Sequence, residues 1–276
     1  WGVQCAASAT IIGQLFNAVF YVVCLTRFQT IGLQKKDFML HLRTTGSIIS
    51  LGMSSFFTQI AGTVVIAIQN NLLVKYGAKS IYGVDIPMAA LGITMKTSQL
   101  ITSIAMGIAT GVQPILGYNY GSRQYDRVKQ TFRISIGICT AIMCAALLVF
   151  QVFPEAIIRI FGQESALYME FAVKCFRIYL LACFMIPSGM VIGIFYQAIG
   201  KPGPSMAISL SRQIIFLIPA MFILSAIWGI DGLLWSGPVS DMLSGILSIV
   251  VLRIGWNRIF EEESAGERRE AALSHT

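Results

Sequence analysis

Lys96 is the residue whose type and position point most directly to chemistry. It lies inside an apolar stretch that runs from about Met88 to Leu116. A lone cation at the depth of a bilayer costs at least ~2.5–3.5 kcal/mol on insertion scales, so an ionisable residue there is a functional-site candidate by default. We therefore interpret Lys96 as a candidate for the pathway of a substrate or an ion.

Two polar helix faces accompany this lysine. At 100° per residue, the polar residues that follow Lys96 share a sector of roughly 80°. A wet pathway is one interpretation of such faces, and interhelical hydrogen bonding by small and polar residues is the other. The first face comprises Lys96, Gln99, Ser103, Gly107, Thr110 and Pro114. The second face comprises Ser55, Gln59, Gly62, Thr63 and Asn70.

Arg212 and Asp241 are a second candidate site, because both lie inside apolar stretches. The two stretches are neighbours in the chain, so their helices would be adjacent and antiparallel. A rise of 1.5 Å per residue puts the two side chains within about 6 Å in depth. We predict a structural ion pair, with a role in ion coupling as the alternative.

Composition indicates that transmembrane helices position these residues. Of the 276 residues, 55% are hydrophobic and 12% are charged, whereas soluble domains carry about 25% charged residues. The mean hydropathy is +0.72. A spanning helix needs about 20 mostly apolar residues, which predicts an all-α, polytopic membrane protein. Seven stretches qualify: Gly2–Leu25, Ser47–Leu73, Met88–Leu116, Phe132–Phe153, Ala172–Ile194, Ser205–Ile227 and Gly232–Ile254.

The sequence also predicts how the chain is divided into domains and linkers. Residues 1–26 form one transmembrane helix, 27–46 a cytoplasmic linker, and 47–254 a six-helix lobe. The amphipathic segment Pro154–Phe171 is predicted to lie on the membrane surface, and the charged tail 255–276 to be disordered. Because an apolar run begins at once after Trp1 with no charged segment before it, we expect the chain to start inside a larger protein.

The net charge of +7 and the pI of 9.2 indicate topology rather than nucleic-acid binding. Most of the 20 Lys and Arg residues fall in alternate loops and in the tail. Cytoplasmic loops carry such an excess, so these loops are assigned to the cytoplasm. The chain then begins outside and ends inside the cell.

Catalytic and metal-binding patterns are absent from the sequence. The six cysteines all lie in apolar stretches without C-x-x-C spacing, which indicates neither a zinc site nor a disulfide framework. There is no G-x-S-x-G, H-E-x-x-H or P-loop motif. We expect no enzyme activity, no metal and no cofactor. The glycines of the segment 117–121 predict a tight, hinge-capable turn around Pro114, Gly117 and Gly121.

Four segments resemble one transporter family. Residues 113–121 read QPILGYNYG, which resembles the signature of multidrug and toxic compound extrusion (MATE) transporters. The segments QNNLL at 69–73, QAIGKP at 197–202 and GIDG at 229–232 are similar to later parts of the same family. Such transporters have twelve helices in two six-helix lobes. The resemblance implies that this chain supplies the sixth helix and the C-terminal lobe.

The resemblance also implies a function. A MATE transporter is expected to export bulky organic compounds in exchange for H+ or Na+ by alternating access between lobes. Its expected partners are membrane lipid, small organic substrates and the N-terminal lobe of the same chain, and no nucleic acid. Some members use carboxylates in the seventh and tenth helices, whereas this sequence has Gln59 and no acid in Ala172–Ile194. Lys96 is therefore expected to face the central cavity as the partner of an acid in the other lobe.

Two alternatives stay open from the sequence. A lipid-linked saccharide flippase of the same superfamily needs a strongly cationic cavity for pyrophosphate. A seven-helix receptor or retinal protein matches the helix number, but retinal requires a lysine in the last helix. The stretch Gly232–Ile254 contains no lysine and reaches its first cation at Arg253.

Overall fold

The computed structural model describes residues 2–26, 42–162 and 165–273. Contacts divide the chain into two compact units, Trp1–Ser50 and Leu51–Thr276. The first unit contains helix α1 (Gly2–Thr26), whose 25 residues include no charged side chain. At 1.5 Å per residue, a helix of this length exceeds the ~30 Å hydrocarbon core of a bilayer.

The second unit is a bundle of helices, and no strand occurs in the part of the chain that the structure describes. A 3-10 turn, Cys183–Met185, precedes α7, and a π-helical segment, Ser211–Leu217, joins α8 to α9. The helices that follow α1 in the chain are α2 (Leu42–Gly77), α3 (Asp85–Gly121), α4 (Tyr125–Val152), α5 (Pro154–Phe161), α6 (Ala166–Tyr179), α7 (Ile186–Ala198), α8 (Pro202–Leu210), α9 (Ile218–Trp228) and α10 (Ile230–Leu273).

Seven helical stretches in the described ranges are long and apolar enough to cross a membrane, which confirms the predicted fold class. Two of them, Ala166–Ala198 and Pro202–Trp228, contain an irregular turn rather than one continuous α-helix. Proline explains where the new helices begin, since Pro187 and Pro219 each occupy the first turn of α7 and α9. Proline is tolerated there because the first N–H groups of a helix have no intrahelical partner.

The helices are longer than the apolar stretches that predict them. Helix α2 begins at Leu42 rather than Ser47, and α3 continues to Gly121. Backbone hydrogen bonding does not require apolar side chains, so a helix continues past the hydrocarbon boundary into polar sequence. Helix α10 likewise continues to Leu273, through most of the tail for which the sequence predicts disorder. The linker prediction for 27–46 falls mainly outside the described residues.

The predicted turn at Pro114, Gly117 and Gly121 is displaced in the structure. Pro114 and Gly117 lie inside α3, and Gly121 is its last residue. The chain turns after Gly121, where Arg123 adopts a positive φ of 57°. Gly117 has a packing role, since a Cβ atom there would lie 3.2 Å from the carbonyl oxygen of Ala198.

The amphipathic segment also differs from its prediction. Helix α5 covers only its first half, and Phe171 belongs to α6. Ile158 and Phe171 are fully buried in one hydrophobic core together with residues of α2 and α3. The apolar side therefore packs on other helices, which leaves less of it to face lipid.

Helix α10 packs closely because small residues line its buried side. Gly237 lies against Tyr179, since a Cβ atom at this glycine would be 2.9 Å from the tyrosine Cε2. Gly245 is similarly close to Met185. Small residues allow helices in a membrane to approach one another, where no hydrophobic effect drives them together. Four serines repeat every four residues along this side, and all are buried: Ser236, Ser240, Ser244 and Ser248.

Candidate functional site

Arg212 and Asp241 meet inside the bundle. The Arg212 Nε donates a hydrogen bond to Asp241 Oδ1 at 2.8 Å, and its Nη2 lies 2.7 Å from the same oxygen. The Asp241 side chain is 8% exposed and that of Arg212 is 41% exposed. The structure thus brings together the two residues that the sequence predicts to pair.

The π-helical segment Ser211–Leu217 presents the arginine. Such segments are rare and occur frequently at functional sites. The next residue, Gln213, has a buried side-chain oxygen for which the described residues provide no hydrogen-bond partner. This Oε1 would lie 3.5 Å from a Cβ atom at Gly62 on α2. Gln213 therefore places a buried acceptor next to α2, beside the ion pair.

Two cavities adjoin the ion pair. The first, of about 220 Å³, includes Gln99, Tyr179 and Ser240 in its lining. The second, of about 210 Å³, includes Thr58 and Gln213. Both cavities are also lined by Arg212, Asp241, Thr102 and Ile186. We call the two cavities with this shared wall the polar cleft.

Tyr179 lies between the polar cleft and α2. Its side chain is near that of Gln69, a buried residue near the end of α2. The ring lies against Gly237 and lines the first cavity together with Asp241. The sequence assigns no role to Tyr179, and Gln69 stands out in it only as part of a motif. The sequence offered one signal for Gln69, because a glutamine inside an apolar stretch is unusual, as it is at Gln59.

Comparisons with known proteins identify this architecture. The MatE family model matches residues 55–223, which include Arg212 and most of the second unit. The chain belongs to the MatE family. It is 22% identical over 261 residues to "Multidrug export protein MepA" of Staphylococcus haemolyticus, with 94% of this chain and 56% of that relative aligned.

Solved structures of MATE transporters have the same fold. An outward-facing multidrug resistance MATE transporter superposes with a TM-score of 0.81 at 19% identity, over 95% of this MatE chain and 58% of that one. The MATE multidrug transporter DinF-BH is 30% identical, with a TM-score of 0.76 over 92% of this chain and 56% of that one. This chain therefore spans a little over half the length of the relatives it matches.

The predicted pathway face of α3 is only partly directed into the polar cleft of this MatE chain. Gln99 lines the first cavity, whereas Lys96 and Ser103 are exposed and line neither cavity. The exposed side of α3 is wider than predicted, because Leu100 and Ile104 on its apolar side are 65% and 54% exposed. The hydroxyls of Ser103 and Thr110 bond to carbonyls of their own helix.

The predicted face of α2 is exposed as well. Gln59, Thr63 and Asn70 are all exposed, and the Thr63 hydroxyl donates to the carbonyl of Gln59 at 3.1 Å. The side chain of Ser55 lies outside the described residues. Thr58, which the sequence did not single out, is the residue of this stretch that lines the second cavity.

A second polar cluster of the MatE chain lies where α6 and α10 begin. Lys174 Nζ is 2.7 Å from Asp231 Oδ2, and the Tyr82 hydroxyl donates to Glu170 at 3.4 Å. Burial raises the pKa of Tyr82, and the charge of Glu170 raises it further. The other carboxylate oxygen of Asp231 is buried without a partner among the described atoms. In the sequence, Lys174 stands out only as one of the charges that set the topology.

No group of three or more His, Cys, Asp or Glu side chains within the described ranges is arranged to hold a metal ion. The described cysteines are free thiols and form no disulfide bond with one another. Cys139, Cys175 and Cys183 are buried, whereas Cys5 and Cys24 are exposed.

Proposed function

We propose that this MatE chain is the C-terminal lobe of a secondary active antiporter that exports bulky organic compounds in exchange for protons or sodium ions. The polar cleft carries the proposal. It is an interior space within membrane-spanning helices, with a charge pair in the wall that its two halves share. Family membership supports the same function, because similar proteins are named as multidrug exporters.

The lining of the cleft suits organic compounds that are mostly apolar. Met95, Ile186 and Leu217 provide apolar surface, and Gln99 and Tyr179 provide a few polar contacts. Ligand sites commonly combine apolar walls with a small number of placed polar groups. In this proposal Lys96 and the exposed polar residues of α2 face a cavity that the cleft joins when both lobes are present.

The Arg212–Asp241 pair has two candidate roles in this transporter. A structural role follows from its depth, because each charge satisfies the other within the bundle. A coupling role would require Asp241 to bind a proton or sodium ion, which would release Arg212 and the π-helical segment. We favour the structural role and keep coupling as the alternative.

No observation favours either alternative function, the flippase or the receptor-like protein. A flippase for lipid-linked saccharides requires a strongly cationic cavity, whereas the one described cation in the polar cleft, Arg212, is paired with Asp241. A receptor-like protein is not favoured by membership of the MatE family.

The test is efflux from cells that lack their own drug exporters and express the full-length protein containing this chain. Cells are loaded with ethidium and energised, and loss of dye fluorescence is followed. We expect faster efflux than with empty vector. Sensitivity to a protonophore or to a sodium ionophore would identify the coupling ion. Efflux equal to the empty vector across a panel of organic cations would contradict the proposal.

A further inference from the structure

A third cavity, of about 440 Å³, lies between α4 and α10, apart from the polar cleft. Three cations line it, Lys129 and Arg133 from α4 and Arg253 from α10. The rest of its lining is apolar and includes the rings of Phe132 and Trp256. Cations from two helices thus converge over an aromatic floor.

The depth of this cavity matches the level of lipid headgroups. Lys129 and Arg133 follow closely on the start of the span Tyr125–Val152, and Arg253 lies near the end of Ile230–Trp256. Tryptophan and long cationic side chains are favoured at this interface, where their apolar parts meet hydrocarbon and their polar ends meet water. The charge bias of the loops assigns this end of the bundle to the cytoplasmic leaflet, which is the anionic one.

The floor of the cavity is closely packed. Phe132 is buried and packs against Trp256 with ring centroids 5.5 Å apart, and against Phe195 at 5.1 Å. This aromatic cluster fixes the side of α4 that carries Arg133 relative to the side of α10 that carries Arg253. Both arginines are exposed at the edge of this floor, so both can reach a ligand between the two helices.

Negative charge near the cavity is weak among the described side chains. Asp126 is 4.0 Å from Lys129, but its side chain is fully exposed to solvent. An exposed pair of this kind contributes little, so it leaves most of the positive field in place. A ligand with one compact anionic group would complement the three cations.

We propose that this cavity binds the phosphate of an anionic phospholipid, with an acyl chain on the floor formed by Phe132, Ile136 and Trp256. Arginine suits phosphate because its guanidinium donates two parallel hydrogen bonds. Basic pockets between transmembrane helices on the cytoplasmic side bind acidic headgroups through the same chemistry. The site is independent of drug export, so the proposal holds whether or not the chain transports drugs.

Native mass spectrometry of the purified full-length protein provides the test. The protein is titrated in detergent with dioleoyl phosphatidylglycerol or dioleoyl phosphatidylcholine, and bound lipid is counted. The test variant is the double substitution Arg133→Gln with Arg253→Gln. The matched control is Arg127→Gln with Lys201→Gln, which removes the same charge from exposed cations that do not line the cavity.

We expect phosphatidylglycerol to be retained in preference to phosphatidylcholine. The test variant should bind it roughly tenfold to thirtyfold more weakly, and the control should bind like the unmodified protein. The double substitution Arg133→Lys with Arg253→Lys keeps both charges but loses the paired guanidinium hydrogen bonds, so it should bind phosphatidylglycerol with intermediate strength. An unchanged thermal unfolding temperature in detergent checks that each variant is folded. Equal weakening in test and control, or equal retention of both lipids, would overturn the proposal.

A competition arm separates lipid from free phosphate. Inorganic phosphate at millimolar concentration should not displace phosphatidylglycerol, because it cannot use the apolar floor. Displacement by inorganic phosphate alone would show an anion site without lipid specificity and would overturn the proposal. Quenching of Trp256 by brominated phosphatidylglycerol, in a variant that lacks the other tryptophans, should exceed quenching by brominated phosphatidylcholine. Equal quenching by both lipids would also overturn it.

Discussion

Asp241 and Arg212 satisfy each other inside the bundle, and removal of either leaves one charge without its partner. We predict that Asp241→Asn and Arg212→Gln each lower the thermal unfolding temperature of the protein in detergent. Breaking a buried pair costs about 3–5 kcal/mol, and the partial exposure of Arg212 places the loss nearer the lower end. The double substitution should cost less than the sum of the two, as measured by a double-mutant cycle.

An exposed pair supplies the control for this cycle. Arg159 and Glu155 are 3.8 Å apart with both side chains more than half exposed. Arg159→Gln should change stability by less than about 1 kcal/mol. Additive losses at Arg212 and Asp241 would contradict the structural role. A change in the pH or sodium dependence of efflux in Asp241→Asn, with stability unaltered, would support the coupling role instead.

A second prediction for a single residue concerns Lys96. It is exposed on α3 beside the polar cleft but does not line it, so its proposed partner is an acid of the other lobe. Lys96→Ala in the full-length protein should alter the pH or sodium dependence of dye efflux while leaving the folded bundle intact. Lys79→Ala, an exposed cation in the loop before α3, is the control. Unchanged coupling in Lys96→Ala would refute the hypothesis.

The sequence could predict a contact between two residues where their depth in the membrane was enough to decide it. Arg212 and Asp241 could be paired because two consecutive antiparallel helices give each residue a calculable depth. The contact between Lys174 and Asp231 could not be predicted, because 57 residues and several helices separate the two in the chain. The surroundings of the Lys96 side chain could not be predicted either. A helical wheel shows which residues share one face of α3, but it does not show which helix or cavity that face meets.

At the scale of helices, close packing along α10 depends on residues without bulk. We predict that Gly237→Ala destabilises the protein by about 1–3 kcal/mol, because the added methyl group would overlap the ring of Tyr179. Displacement of this ring should also reduce dye efflux, since Tyr179 lines the first cavity. Thermal unfolding in detergent and the efflux assay measure the two effects.

Gly92→Ala is the matched control for Gly237→Ala. Gly92 lies inside α3, and nothing is within 4 Å of the position that a Cβ atom would occupy. Alanine should stabilise this helix by about 0.5–1 kcal/mol. Equal responses of the two glycines would show that packing against Tyr179 is not the cause.

Helix number was predictable from apolar runs, whereas helix irregularity was not. The 3-10 turn at Cys183–Met185 and the π-helical segment both lie within stretches that the hydropathy pattern predicts as single spans. Hydropathy reports burial in lipid and carries no information on which carbonyl an N–H group selects. The hinge predicted from Gly117 and Gly121 failed for a related reason, because a glycine in a helix can also serve close approach to a neighbour.

For the whole molecule, the charge bias of the loops predicts one orientation. A cysteine at Lys79, in the loop before α3, should react with a membrane-impermeant maleimide in intact cells. A cysteine at Ser122, in the loop after α3, should react only after permeabilisation. The background carries Cys5→Ser and Cys24→Ser, because these are the described cysteines that are exposed. The opposite labelling pattern would invert the topology and place the cation-lined cavity in the outer leaflet.

The π-helical segment also affects how this protein can be aligned with others. Bonding to the fifth residue rather than the fourth accommodates one more residue in a turn. A relative whose corresponding helix is α-helical throughout must therefore have a one-residue gap within 211–217. An ungapped alignment would be out of register by one position on one side of the segment, which is a rotation of about 100° around the helix. Transfer of a residue's role by alignment column would then assign the partner of Asp241 to the wrong side chain.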